Sequence, residues 1–426
     1  MVSFLSYLSL AACCIGFSTA SPTGHVARQS SWPNGPFNSY SNRMVDASNN
    51  TVKFAGTNWP GHGEAMVPEG LQYKSIADIV SDIKSLGMNT IRLTFAIEMI
   101  DQIYANDGVD VPIGTAFTEA LGSTNGSAVL KQVLANNPEF TADTTRTELF
   151  DAVAAECERQ EIYVHLDNHI SKGMWCCSQT DGNAWFGDEY FNVNNWVRGL
   201  VYMANHAKSW PNFMSMSLRN EFRQATGTGS GNAESYTWET WYYHIKQATA
   251  AINAANPDTL IFLSGLNYDT TLQPVVQGTA LTPSTAVFDD DDFPGFRNKL
   301  VLELHNYSNS ATSCSSLKSD LATKGFQAMD PSNSATKNAF PVFMTEWGFL
   351  QTDSTWKGVY TSCLAEFLPE GSSGWMYWVI VGSYYIRSGT QDFDETWGLY
   401  NHDWSSWRNN DYIEGSLKPM VAASLA

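Results

Sequence analysis

The chain has 426 residues, a formal net charge of −19, 13% aromatic and only 16% charged residues. So strong a negative balance excludes nucleic acid, whose phosphates call for Lys and Arg. It favours neutral or cationic ligands on a soluble, self-repelling protein expected to be a monomer.

From the N-terminus, MVSFLSYLSLAACCIGFSTASP reads as a secretory signal over residues 1–20. Its apolar run of roughly a dozen residues is too short to span a bilayer and ends at the small residues Ser18-Thr19-Ala20. A basic n-region is missing apart from the terminal amine. No later segment is apolar enough for a span, so the expected protein is secreted, with no membrane partner. Residues 21–42 are expected as a flexible lead into one domain over 43–426. Beyond the signal remain Cys157, Cys176, Cys177, Cys314 and Cys363, enough for two disulfides and one thiol. Cys314 and Cys363 fall on neighbouring elements and are the preferred pair. No C-x-x-C or His-rich spacing accompanies them, so no metal is expected. Asn49, Asn125 and Asn306 head N-x-Ser/Thr sequons, which agree with a secreted glycoprotein. Asn306 sits among site candidates and is expected to stay bare.

Strand-like runs follow at 52–59, 89–95, 161–169, 213–221, 259–265, 299–307, 341–348 and 374–382. Between them lie amphipathic stretches, clearest at 73–87 and 146–160, with Ser75 and Asp353-Ser354 as N-cap candidates. Continuous apolar strands imply a parallel sheet covered on both faces. This rhythm predicts an α/β fold, a (β/α)8 TIM barrel, with a short N-terminal hairpin at 43–54 and a long insertion after strand 2. That insertion, Ala96–Arg146, is expected as a lid or a cleft wall. The acidic run Asp289–Asp292 reads as a solvated loop rather than a calcium site.

In such a barrel the C-terminal strand ends share one mouth, where the reactive groups sit. The polar residues delivered there are Arg92, Asp167-Asn168-His169, Asn220-Glu221, His305, Tyr307, Glu346 and Trp378. No Ser or Cys nucleophile and no phosphate-cradling Gly loop competes with them, and no cofactor is implied. Two facing carboxyl groups suit glycosidic hydrolysis, one protonated to donate and one ionised to attack. Glu221 is expected as the acid and Glu346 as the nucleophile, held ionised by Arg92. The Glu346 charge is expected to raise the Glu221 pKa. Asn220 would bind the sugar hydroxyl beside the reacting carbon, Tyr307 would donate to Glu346, and His305 would orient either group. Trp378 offers a flat face to a pyranose ring.

Other residues divide between site and core. His165 lies mid-strand and reads as a core histidine, whereas His169 ends its strand and joins the site. Glu303 reads as structural and Glu64 as a loop carboxylate. Trp59, Trp175 and Trp347 are candidate subsite aromatics, with Trp185 beside them, although large aromatics are usually buried.

The motifs GTNWPGHG, IRLTF, LDNHISKGMW, LRNEF, ELHNYS, MTEWG and WMYW, in this order, resemble glycoside hydrolase family 5, the cellulase family. The resemblance spans residues 43 to about 405, and DNHISKGMWCC with MSLRNE marks a less-studied branch. It implies a retaining mechanism with Glu221 as acid/base and Glu346 as nucleophile. Arg92, His169, Asn220, His305, Tyr307 and Trp378 fall on the remaining site positions. The substrate expected is β-linked glucan, cleaved endo at β-1,4 bonds. The alternatives are an exo-acting β-glycosidase of other specificity and a catalytically silent carbohydrate-binding barrel.

Overall fold

The computed structural model describes residues 32–426; the expected signal at 1–20 and residues 21–31 lie outside the described residues. Parallel strands close into a barrel in chain order: β1 (Phe54–Trp59), β2 (Thr90–Ala96), β3 (Tyr163–Ile170), β4 (Phe213–Ser217), β5 (Leu260–Ser264), β6 (Leu300–Asn306), β7 (Val342–Trp347) and β8 (Gly374–Tyr377). β8 pairs back on β1, so the sheet keeps no free edge.

Helices cover the outside because their apolar stripes need the barrel. In Ile76–Ser85 the buried residues Ile76, Ile79, Val80 and Ile83 share one face, and Ser75 caps the first turn by accepting from the Asp78 N–H at 3.0 Å. Arg146–Arg159 opens with a capping box of Thr145 and Glu148. Asp353-Ser354 caps no long helix: Asp353 closes a separate turn at Thr355–Lys357, and the helix Val359–Gly371 starts after Gly358. The acidic run is held by cations, Asp290 by Arg297 and Asp292 by Lys246.

Inside, the barrel is layered. Phe37, Phe54, Tyr163, Leu260, Phe262 and Phe343 plug its lower end. Phe37 meets Phe54 edge-on at 5.5 Å, so the second half of the 21–42 segment is part of the domain rather than a flexible lead. The expected hairpin is a three-stranded sheet of Asn38–Tyr40, Arg43–Val45 and Thr51–Val52. Above the plug, the His165 ring nitrogens lie 2.7 Å from the Ser215 and Ser217 hydroxyls. Ser217 and Ser264 donate to the buried Glu303 carboxylate. Both His165 and Glu303 are therefore structural, with hydroxyls as partners.

Two connections depart from the regular pattern. The insertion after β2 folds as helices Ile97–Ala105 and Ile113–Asn136, the latter kinked at Gly122. It packs on a hairpin after β8, Ser383–Arg387 with Thr390–Asp394. Phe117 meets Tyr385 at 4.9 Å, and Gln391 donates to the Leu121 carbonyl at 2.9 Å. These contacts make the insertion a wall. After β5 the expected helix is replaced by the short Leu266–Asp269 and Gln273–Gln277 segments.

Candidate active site

Arg92, on β2 and fully buried, organises the mouth. Its Nη1 donates to Glu346 Oε1 at 2.6 Å and to Asn58 Oδ1 at 2.8 Å. Its Nη2 donates to Asn220 Oδ1 at 2.8 Å and lies 3.0 Å from Asp167 Oδ1. A planar guanidinium that never loses its charge can fix groups from several strands at once. Asn58 is anchored in turn, donating to the Thr345 and Tyr377 carbonyls at 3.0 and 3.1 Å.

Glu346 ends β7 and accepts the Tyr307 hydroxyl on Oε2 at 2.8 Å. Burial pushes its carboxyl above the ordinary value, while His305, Arg92 and Tyr307 pull it down.

Glu221 lies beyond its strand, which stops at Ser217 instead of running on to the acid. Its φ is +50°, a left-handed conformation that costs a side-chain-bearing residue about 1–2 kcal/mol. Neighbours hold it there. The Glu221 N–H donates to Asp269 Oδ2 at 2.8 Å, and Arg223 Nη1 donates to the Glu221 carbonyl at 2.9 Å. Asp269 completes three left-handed residues, Asn267, Tyr268 and Asp269 at φ +53°, +61° and +54°. In that turn the Tyr268 N–H donates to the Phe222 carbonyl at 2.9 Å. The missing helix after β5 is thus a clamp on the loop that carries Glu221.

Burial pushes the Glu221 carboxyl up to about 7, with Arg223 and Arg92 opposing and Asp167 adding to the rise. Burial, rather than the Glu346 charge expected from the sequence, is the main cause. His305 Nδ1 stands 3.1 Å from Glu221 Oε1 and 3.6 Å from Glu346 Oε2, and Nε2 lies 3.1 Å from Thr345 Oγ1. Burial lowers the His305 pKa, with the Glu346 charge opposing.

His169 presents its Nδ1 to Asp167 Oδ2 at 2.6 Å, and burial holds its pKa well down. A neutral ring with its hydrogen directed at Asp167 leaves Nε2 as an acceptor. Asn220 Nδ2 donates there at 3.3 Å. With its oxygen on Arg92 and its nitrogen on His169, the Asn220 amide has one orientation. Trp378 stacks on His169 at 5.4 Å, and His62 stacks on it at 3.9 Å.

All eight expected catalytic and supporting residues therefore meet at one mouth. The subsite aromatics need correction. Trp59 and Trp347 are 0% exposed because side chains alternate along a strand. Asn58 and Glu346 point inward, so their neighbours point out into the helix layer. Trp59 donates to the Glu69 carbonyl at 2.9 Å, and Trp347 packs on Trp375 and Tyr377. Trp185 is likewise buried against Phe222 and Tyr236. Trp175 alone among the four is half-buried, 6.5 Å from Trp378 with the Arg387 guanidinium 3.5 Å over its ring. Glu64 is half-buried, and burial raises its pKa. Asn306 is 3% exposed, its side chain accepting the Ser308 N–H at 3.1 Å.

Sequence reasoning missed Asn58, His62 and Asp269. Asn58 carried a signal, a polar residue near the end of an otherwise small and apolar strand. Cys314 is bonded to Cys363 as expected, Cys176 is bonded to its neighbour Cys177, and Cys157 is a buried thiol. Two clusters among the described residues bring three donor atoms within 4.8 Å: His169 with Cys176 and Cys177, and Glu221 with His305 and Glu346. In the first the sulfurs are bonded to each other, which leaves no thiolate for a metal. The second is the carboxyl pair itself.

Comparison with known proteins agrees with this geometry. The chain is 36% identical over 383 residues to a glycosyl hydrolase 5 family protein of Chamaecyparis obtusa, covering 86% of this chain and 63% of that one. It thus spans less than two thirds of that relative's length. It is 22% identical to an endoglucanase of Paenibacillus polymyxa, covering 92% of this chain and 89% of that one. The endocellulase of Pyrococcus horikoshii, solved with cellotetraose, shares the fold with a TM-score of 0.65 at 17% identity, over 91% of this chain and 98% of that one. Residues 45–383 match the family model described as Cellulase (glycosyl hydrolase family 5). A closed parallel barrel with paired glutamates at its mouth, matched over most of its length by that model, places the chain in glycosyl hydrolase family 5.

Proposed function

We propose that the protein is a secreted retaining β-glycosidase that cleaves β-1,4-glucan internally. The observation that carries this reading is the pair of carboxyl oxygens of Glu221 and Glu346, within 4.8 Å of each other and of a His305 nitrogen. A separation of about 5–5.5 Å between the carboxyl groups leaves room for attack by one of them but not for an intervening water. Glu346 attacks the anomeric carbon while Glu221 gives its proton to the departing glycosidic oxygen. That bond breaks as the glycosyl ester forms. Glu221, now ionised, takes a proton from water, whose oxygen displaces Glu346 and restores the β-configuration. The Asn220 amide binds the hydroxyl beside the reacting carbon, and Tyr307 steadies Glu346. The names of the relatives, an endoglucanase and an endocellulase, support glucan as substrate.

The wall built from the insertion, Trp175 and the hairpin favours a second reading, exo action on short glycans. Secretion rests on the pattern at residues 1–20 and on two disulfides, which persist in oxidising compartments. One preparation tests all of this. Secreted protein is expected to begin at Ser21 and to release mixed oligosaccharides from barley β-glucan, with the β-anomer first by NMR. Glu346→Ala is expected to lose all of it. An α-anomer first would sink the double-displacement reading, and release of one short product alone would favour the exo reading.

A further inference from the structure

The Cys176–Cys177 bridge has no place in the chemistry above, yet it lies against a residue that does. Asn220 Nδ2 is 3.4 Å from Cys177 Sγ and 3.7 Å from Cys176 Sγ. Cys176 is buried, and Cys177 is half-buried beside the mouth. The loop carrying them is pinned on both sides. Arg219 Nη1 donates to Ser171 Oγ at 3.0 Å, before the pair. Arg223 donates to the Ser178 carbonyl at 2.8 Å and to Asp181 Oδ2 at 2.6 Å, after it. The two arginines flank Glu221 in sequence, so the sulfur pair and the acid are fixed by one set of contacts.

An amide nitrogen carries two hydrogens. On Asn220 one is taken by His169 Nε2, and the other faces only sulfur, a weak acceptor. It is therefore free to be given to a ligand oxygen at little cost. We propose that the Cys176–Cys177 disulfide is a positioning element of hydrolysis: it walls the Asn220 amide with atoms that neither compete for its second hydrogen nor offer one. That keeps the hydrogen for the sugar hydroxyl beside the reacting carbon. The inference rests on the hydrolase reading. Reduction by a dithiol breaks the S–S bond, and two electrons and two protons pass from the dithiol, which closes to its own cyclic disulfide. The two new S–H groups then lie within 4.8 Å of a ring nitrogen of His169, the ring that orients Asn220, and can turn to donate to it in competition with the amide.

The test uses the full chain, untreated and treated with dithiothreitol. Alongside it run Cys176→Ser/Cys177→Ser and, as a control lacking the other bridge, Cys314→Ser/Cys363→Ser. Substrates are an aryl β-cellobioside and its analogue lacking the 2-hydroxyl on the reacting ring. Misplacing one group that contacts the transition state is expected to lower kcat on the order of tenfold to hundredfold. The loss should appear on the ordinary glycoside with KM little changed, in treated wild type, in the treated control and in Cys176→Ser/Cys177→Ser. Turnover of the 2-deoxy analogue should be unaffected. A purely structural role would reduce both substrates alike, and that outcome overturns the proposal. So does unchanged kcat once both cysteines are reduced and alkylated, or a peptide map in which both are alkylated before any reductant is added. If the untreated enzyme turns over neither glycoside, the hydrolase reading has failed and this inference with it. Activity insensitive to reduction would sink the inference alone.

Discussion

Burial pushes Glu221 and Glu346 in the same direction, so their partners must separate them. The Arg92 cation and the Tyr307 hydroxyl both donate to the Glu346 carboxyl, whereas neither donates to Glu221. Glu346 therefore loses its proton first, and hydrolysis should fall on the alkaline side near the Glu221 value of about 7. Glu221→Gln should remove that limb. The same shift bears on stability. Below about 4.5 the acid is protonated in both states and contributes nothing; between 4.5 and 7 the unfolded chain ionises while the folded one keeps its proton. The resulting penalty grows to about 3 kcal/mol and is constant at higher pH. Urea midpoints should show Glu221→Gln more stable than wild type at pH 8 by up to about 3 kcal/mol and equal to it at pH 4. An equal gain at both pH values would remove burial of the charge as the cause. At this scale the sequence carried the carboxyl pair with Asn220 and His305, polar residues closing apolar runs, but not Asn58 or Asp269, which hold Arg92 and the Glu221 backbone. It did not carry the cause of the Glu221 shift, which depends on how deeply the loop is enclosed.

The elements repeat that division. Eight strands and the helices Ile76–Ser85 and Arg146–Arg159 were legible from apolar runs and caps such as Ser75, because those signals are local. The clamp after β5 was not. Asn267, Tyr268 and Asp269 take their left-handed form against the loop bearing Phe222 and Glu221, and nothing within four residues of sequence encodes that contact. Trp59 and Trp347 were misread in the other direction: the period of two that placed Asn58 and Glu346 inside also sent these rings outside. The wall beside the mouth depends on Tyr385, whose ring packs on Phe117 and whose hydroxyl donates to the Pro68 carbonyl at 3.0 Å. Tyr385→Ala should cost about 3–5 kcal/mol by analogy with other large-to-small changes in a core. Limited proteolysis should then cut first within 113–136. If the wall restricts the cleft, the variant should also shift products of long glucans toward mixed lengths. Unchanged products from a protein nicked in that segment would separate the wall from specificity.

For the molecule as a whole, a net charge of −19 acts on any polymer that approaches. Carboxymethylcellulose is an anion and barley β-glucan is not. Raising salt from about 0.01 M to about 0.1 M shortens the screening length from about 30 Å to about 10 Å. It should raise kcat/KM several-fold on the first substrate and leave the second unchanged; an equal response on both would place the effect elsewhere. Asn306 has a different consequence, for how the protein is made. It heads a glycan acceptor sequence, yet it ends β6 at 3% exposure with Tyr307, a site residue, directly after it. An oligosaccharide added to the nascent chain there would leave the sixth strand no place in the closed ring. In a glycosylating host, every copy then runs a race between barrel closure and the transferase, and the losers go to quality control. Ser308→Ala, which deletes the acceptor but keeps the backbone N–H that Asn306 uses, should end the race and raise the yield of folded protein.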